Sequence, residues 1–121
     1  MQKTLIDSGP LIALFDRSDK YHSVVLAFLK EFRGELLTTW SVMTEVSHIL
    51  DFNLQVQIDF LKWVELGGVT ICTISQDEIS QIRVMMEKYP DIPMDLADAS
   101  LMYIANRDKI KTIVSIDAFV W

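Results

Sequence analysis

Cysteine is almost missing from this chain. Cys72 alone excludes an internal disulfide framework and suits a reducing cytoplasm, and in its β-branched surroundings it reads as a buried, inert thiol. Only 4 glycines and 3 prolines interrupt 121 residues, so linkers and disordered tracts find little support. His22 and His48 are the only histidines, and they form no zinc-ligand spacing with Cys72. No glycine-rich phosphate loop is present either. No apolar run approaches the roughly 18 residues that span a bilayer. The first residues lack a basic stretch followed by a long apolar core, which argues against secretion. Positive charge is also scarce: 11 Lys and Arg face 17 Asp and Glu, a formal charge of −6. A generic cationic nucleic-acid binder is therefore disfavoured. A nuclease that borrows positive charge from bound metal is not, because its ligands add to the negative count.

What is present is apolar: half of the residues, enough to build the core of one domain over 1–121. The pattern alternates strands and helices. Lys3-Thr4-Leu5-Ile6 reads as a strand, and Ser8-Gly9-Pro10 as a turn with Pro10 at the first helical position. Tyr21, Val24, Val25, Phe28, Leu29 and Phe32 recur at helical spacing before Gly34. Leu36-Leu37-Thr38-Thr39 is a short strand. Ser41 is placed to cap a helix whose apolar stripe is Val42, Val46, Ile49 and Leu50. A helix over 54–66 ends at Gly67-Gly68, and a β-branched strand covers 69–74. Ser75 to Glu78 reads as a capping box for a helix using Ile79, Ile82, Met85, Met86 and Tyr89. Pro90 and Pro93 bracket a loop, a helix follows to about Asn106, and 112–116 is a last strand. Strands separated by helices imply a layered α/β domain with a parallel sheet.

Four acids sit where a carboxylate is costly. Asp7 and Asp117 each close a predicted strand, so both project from the carboxyl edge of a parallel sheet, where open α/β sheets bind ligands. Glu45 lies three residues after Val42 and four before Ile49, beside the apolar stripe. Asp98 precedes Leu101, Met102 and Ala105 on an apolar helix face, and Asp95 adds a fifth acid one turn earlier. Lone buried carboxylates are strongly disfavoured, but several converging on one point hold a hard divalent cation. All but Asp98, whose helix face is apolar, also have a plain structural reading. Asp7 and Asp117 suit turns, while Glu45 and Asp95 suit the first turn of a helix. His22 reads as a packing or surface residue. Trp40 is a core anchor or part of a partner surface, with the core as the better default. Arg17, Lys20, Arg107, Lys109 and Lys111 are either phosphate contacts or ordinary surface charge.

These residues give the chain its resemblance to PIN-domain proteins, in particular the VapC-type ribonuclease toxins. Leu5-Ile6-Asp7-Ser8-Gly9-Pro10-Leu11 matches the family's strand, acid, small hydroxyl and helix start. Tyr21-His22 before a helix is also similar. The segment Thr38-Thr39-Trp40-Ser41-Val42-Met43-Thr44-Glu45-Val46 matches the one carrying the second acid. Pro93-Met94-Asp95-Leu96-Ala97-Asp98-Ala99-Ser100 matches the third, and Ser115-Ile116-Asp117-Ala118-Phe119 the fourth. The order and spacing of these segments run over essentially the whole chain. One departure is that the sequence ends soon after Asp117, without the longer tail of many relatives.

The resemblance implies a three-layer α/β/α PIN-like fold with a central parallel sheet. It implies Mg²⁺- or Mn²⁺-dependent cleavage of single-stranded RNA or RNA loops, leaving a 5′-phosphate and a 3′-hydroxyl. Asp7, Asp98 and Asp117 are then metal ligands, and Glu45 binds metal through water or orients the attacking water. Asp95 and Ser8 are auxiliary. The implied partners are an RNA substrate, a protein antitoxin and a second copy of the chain, in the cytoplasm. The RNA-binding residues are not specified. The rival reading is a non-catalytic PIN-like module that binds RNA or protein and keeps the acids for folding.

Overall fold

The alternation of apolar runs builds a parallel sheet covered by helices. The computed structural model describes residues 2–116. In order they form β1 (Lys3–Ile6), α1 (Ser8–Phe15), α2 (His22–Glu31), β2 (Glu35–Thr39), α3 (Trp40–Ile49), a 3₁₀ turn (Leu50–Phe52) and α4 (Leu54–Glu65). Then come β3 (Thr70–Cys72), a second 3₁₀ turn (Gln76–Glu78), α5 (Ile79–Lys88), α6 (Leu96–Asp108) and β4 (Ile113–Val114). The strands lie in the order β3-β2-β1-β4, all parallel, with Leu5 paired to Leu37 on one side and to Ile113 on the other. From β1 the chain winds outward to β2 and β3, then crosses back to β4. The carboxyl end of β1 is thus a topological switch point, the usual binding crevice of such sheets.

The core agrees with the apolar pattern in its centre and departs from it at the edges. Leu5, Ile6, Leu11, Val42, Val46, Leu50, Phe60, Leu101 and Ile104 are fully enclosed. Phe15 meets the rings of Phe60 and Trp63 edge-on. A methyl group on Gly68 would come 2.2 Å from the Trp63 ring, so this helix-to-strand junction closes only over glycine. Two expected stripes are wrong in part. Val24 and Phe28 of α2 face outward while Val25 is buried, and Ile49 of α3 is exposed although Val42, Val46 and Leu50 are not. Periodicity marks an apolar stripe, but its width exceeds the strip that the neighbouring elements cover.

Two expected helix starts also move. Ser8-Gly9-Pro10 is not a turn: α1 begins at Ser8 with Asp7 as its cap. Pro10 is tolerated inside the first turn because N–H groups there have no intrahelical partner. Thr39, not Ser41, caps α3, its hydroxyl accepting from the Val42 amide at 3.4 Å. The capping box of Ser75 and Glu78 is present as expected.

Candidate active site

The carboxyl edge of the sheet is organised by hydroxyls that the apolar pattern hides. Asp7 follows β1 and is held by its backbone, its N–H donating to the Val114 carbonyl at 3.0 Å. Its side chain accepts from the Ser8 amide at 2.7 Å, and the residue is only 5% exposed. Ser115, just past β4, stands with its hydroxyl 3.5 Å from the second Asp7 oxygen. Next door, Thr38 donates to the Ile6 carbonyl at 3.1 Å, tying β2 to the residue before Asp7. The Ser100 hydroxyl donates to the Ala97 carbonyl at 2.7 Å. Its single proton is thereby used, so Thr39 donates to Ser100 at 2.6 Å. That buried pair locks the start of α3 to the second turn of α6, and with it the helices that carry Glu45 and Asp98.

Helix α6 begins with a reciprocal cap. The Asp98 amide donates to Asp95 at 2.8 Å, and the Asp95 amide points back at the Asp98 carboxylate. The Asp98 carboxyl is nonetheless pushed up to about 6. Burial is the first cause and the Asp95 charge the second; the Asp95 amide opposes them, and Asp7 adds to the rise. Glu45, half-buried on α3, is raised as well. Burial again leads, the facing Ser8 hydroxyl opposes it, and the charges of Asp95 and Asp7 add. Asp7, Glu45, Asp95 and Asp98 therefore share one electrostatic neighbourhood, though they come from three separate elements.

The expected cluster is thus brought together in four of its five acids and in Ser8. Asp117 lies outside the described residues. Among the described residues, no group of three or more Asp, Glu, His or Cys side chains is placed to hold a metal ion. A closed cage is not what a hard octahedral ion such as Mg²⁺ requires, because it keeps several waters and takes one or two carboxylates. The donor set suits such an ion: it is oxygen only, and Glu45 and Asp98 are raised in pKa first by burial and then by neighbouring carboxylate charge, which a cation relieves.

Other expectations resolve differently. Trp40 is not a core anchor; it opens α3 and is 66% exposed, because the buried cap residue before it turns the first helical side chain outward. His22 is a packing residue whose Nδ1 lies 2.7 Å from the Ala13 carbonyl near the end of α1. Arg107 is committed to Glu78 and Asp108 at 2.9 Å each and to the Thr73 carbonyl, so it is no free phosphate contact. Lys109 ends α6 in the left-handed conformation. Cys72 is half-buried, and burial raises its thiol, as an inert cysteine requires. The positioning residues Thr38, Thr39 and Ser100 were missed as such, although hydroxyls inside otherwise apolar runs are a visible signal. Gly9 was read as part of a turn; in α1 a methyl group there would sit 2.7 Å from the Ile116 side chain, so glycine lets α1 and the segment after β4 close together.

No protein-family model matches the chain. In sequence it is similar to the ribonuclease VapC26 of Mycobacterium tuberculosis (strain ATCC 25618 / H37Rv), with 25% identity over 115 residues, 93% of this chain and 85% of that protein. In structure it is similar to Mycobacterium tuberculosis VapC20, a toxin that cleaves the sarcin-ricin loop. The TM-score is 0.84 at 14% identity, covering 97% of this chain and 96% of that one. The matched architecture is the three-layer α/β/α arrangement with a central parallel sheet. The chain thus resembles a VapC ribonuclease in sequence and shares the fold of a VapC toxin.

Proposed function

We propose that the chain is a metal-dependent endoribonuclease, the toxin of a toxin–antitoxin pair. The observation that carries this reading is the convergence of Asp7, Glu45, Asp95 and Asp98 at the switch point, with Asp98 pushed up to about 6. The names of the sequence relative and the structural neighbour, a ribonuclease and an RNA-loop-cleaving toxin, support the same substrate class.

In this reading Asp7, Asp98 and Asp117 hold Mg²⁺ or Mn²⁺, directly or through water, with Glu45 and Asp95 beside them. Bound there, the ion supplies charge neutralisation on the scissile phosphate and a more acidic water. The protein's own groups do the rest. Asp7, fixed by the Ser8 amide and near-buried, presents one oriented carboxylate face. Glu45, whose raised pKa makes it a better base than a free carboxylate, accepts a proton from the attacking water. The Ser8 hydroxyl orients Glu45. The Thr39–Ser100 pair keeps α3 and α6 at the spacing the carboxylates need. An antitoxin and a second copy of the chain belong to the same reading. The outward-facing Val24, Phe28, Leu54 and Leu66 give such partners apolar area to cover. No helix among the described residues is long and apolar enough to cross a membrane.

One observation favours the non-catalytic alternative: Asp7, Asp95 and Asp98 all already cap helices. Incubation of the purified protein with single-stranded and structured RNAs, in Mg²⁺, Mn²⁺ or excess chelator, separates the two. Cleavage that requires the divalent ion and vanishes in a folded Asp98→Asn variant supports the enzyme. Undiminished cleavage in chelator removes the metal mechanism, and no cleavage by any preparation leaves the binding module.

A further inference from the structure

Beside the acids, a cavity of about 640 Å³ opens between β3, α5 and the first turns of α3 and α6. Its floor includes Ile71 and Met86, and its mouth is framed by Trp40, Ile79 and Leu96. These three are more than half exposed, at 66%, 56% and 60%. Three large apolar groups left in water around one concavity mark a place that something fills.

The position of the cavity narrows the occupant. Leu96 lies between Asp95 and Asp98 on α6, and Ser41, which also lines the cavity, sits one helical turn before Glu45 on α3. The cavity and the carboxylates therefore lie within about one helical turn, roughly 5.4 Å, of each other along the same two helices. That puts the cavity mouth within reach of the nucleotide next to one held at the acids. Helix α3 carries no acid in its first turn and is capped by a neutral threonine, so its positive end favours an anionic backbone there. Arg83, at the rim, is paired only to exposed Glu87 on its own helix among the described residues, an association weak enough to exchange for phosphate. A protein partner asks for a broad apolar patch with a polar rim. A concave slot with an exposed indole beside it suits a flat aromatic guest.

We infer that this cavity is a base-binding subsite, in which an unpaired RNA base next to the cut stacks on Trp40 against Leu96 and Ile79. The inference rests on the RNA-cleaving reading and assigns Trp40 a part in choosing where the strand is cut. Unstructured RNA supplies such a base without cost, whereas a paired one must first leave its stack.

The test is a cycle between the indole and the base. A single-stranded RNA that the wild type cuts is prepared with each nucleotide flanking the cut made abasic in turn, and kcat/KM is measured for wild type, Trp40→Ala and Trp40→Phe. One abasic position is expected to cost the wild type about 10- to 100-fold. Trp40→Ala loses a similar factor on intact RNA, loses little more on that abasic RNA, and is largely rescued in Trp40→Phe. Losses that multiply independently, or no loss in Trp40→Ala, overturn the subsite while leaving the nuclease in place. Independent losses with a shift from dimer to monomer in sedimentation also overturn it, and make this face an interface between copies. A wild type that neither cuts nor binds RNA removes both readings together.

Discussion

Two carboxylate clusters on α6 and its neighbours are built in opposite ways. At the end of the helix, Glu78 receives the Tyr103 hydroxyl, the Arg107 guanidinium at 2.9 Å and the Ser75 amide at 3.1 Å. Those donors, Tyr103 first, hold its carboxyl down at about 2. At the start of the same helix, Asp98 meets burial and other carboxylates, and its carboxyl rises to about 6. One acid is surrounded by donors and serves the fold. The other is half-buried beside like charges, and its ionised form is disfavoured until a cation arrives. Electrostatic discomfort at a switch point, set against a satisfied acid held at the far end of the same helix, separates function from structure here.

That contrast can be broken at the level of activity first. Asp7→Asn is expected to lower RNA cleavage by more than about 100-fold while circular dichroism stays native, since asparagine also caps helices. Glu78→Gln, in protein that remains folded, leaves cleavage within a few-fold. Equal losses in both would dissolve the distinction. A smaller effect concerns the frame. Ser100→Ala leaves the buried Thr39 hydroxyl without an acceptor for its proton and is expected to cost about 2 kcal/mol in urea denaturation. An unchanged midpoint in Ser100→Ala would mean that the pair positions nothing.

The subtlest difference is one of pH. Glu78, depressed on folding, contributes stability above its unfolded value near 4.5 that is lost as pH falls toward about 2. Glu78→Gln therefore lowers the melting temperature at pH 7, and the deficit shrinks in acid. Asp98 has the opposite sign. Its folded value of about 6 exceeds the unfolded 3.8, so the folded state binds the extra proton, and stability falls as pH rises through that window. In chelator, Asp98→Asn is expected to gain about 1 kcal/mol at pH 7 after allowance for solvent screening, and nothing near pH 4. Melting curves of both variants from pH 3 to 7 check the two signs.

Much of this was legible in the sequence, for identifiable reasons. Asp7 and Glu45 sit at apolar edges where a carboxylate needs an explanation, and alternating strands and helices bring such edges to one end of a parallel sheet. The order of the strands does not follow from alternation alone. It requires knowing that β4 inserts beside β1, and only then does Asp7 stand at a switch point. Trp40 was misread because a large aromatic is core by default, and its exposure depends on Thr39 ending the strand as a buried cap. Ile49 and Phe28 were misplaced for a related reason, since a helical stripe does not reveal how much of it the sheet covers. The Thr39–Ser100 bond joins residues 61 positions apart, and no local pattern announces it.

The most direct test of the central claim, that these acids are held in repulsion to receive a cation, is the stability of wild type and Asp98→Asn measured side by side at pH 7 in chelator and in Mg²⁺. The account predicts a crossover: the variant is the more stable protein in chelator, and Mg²⁺ raises the wild type past it. Equal shifts in both proteins, or none in either, would contradict it.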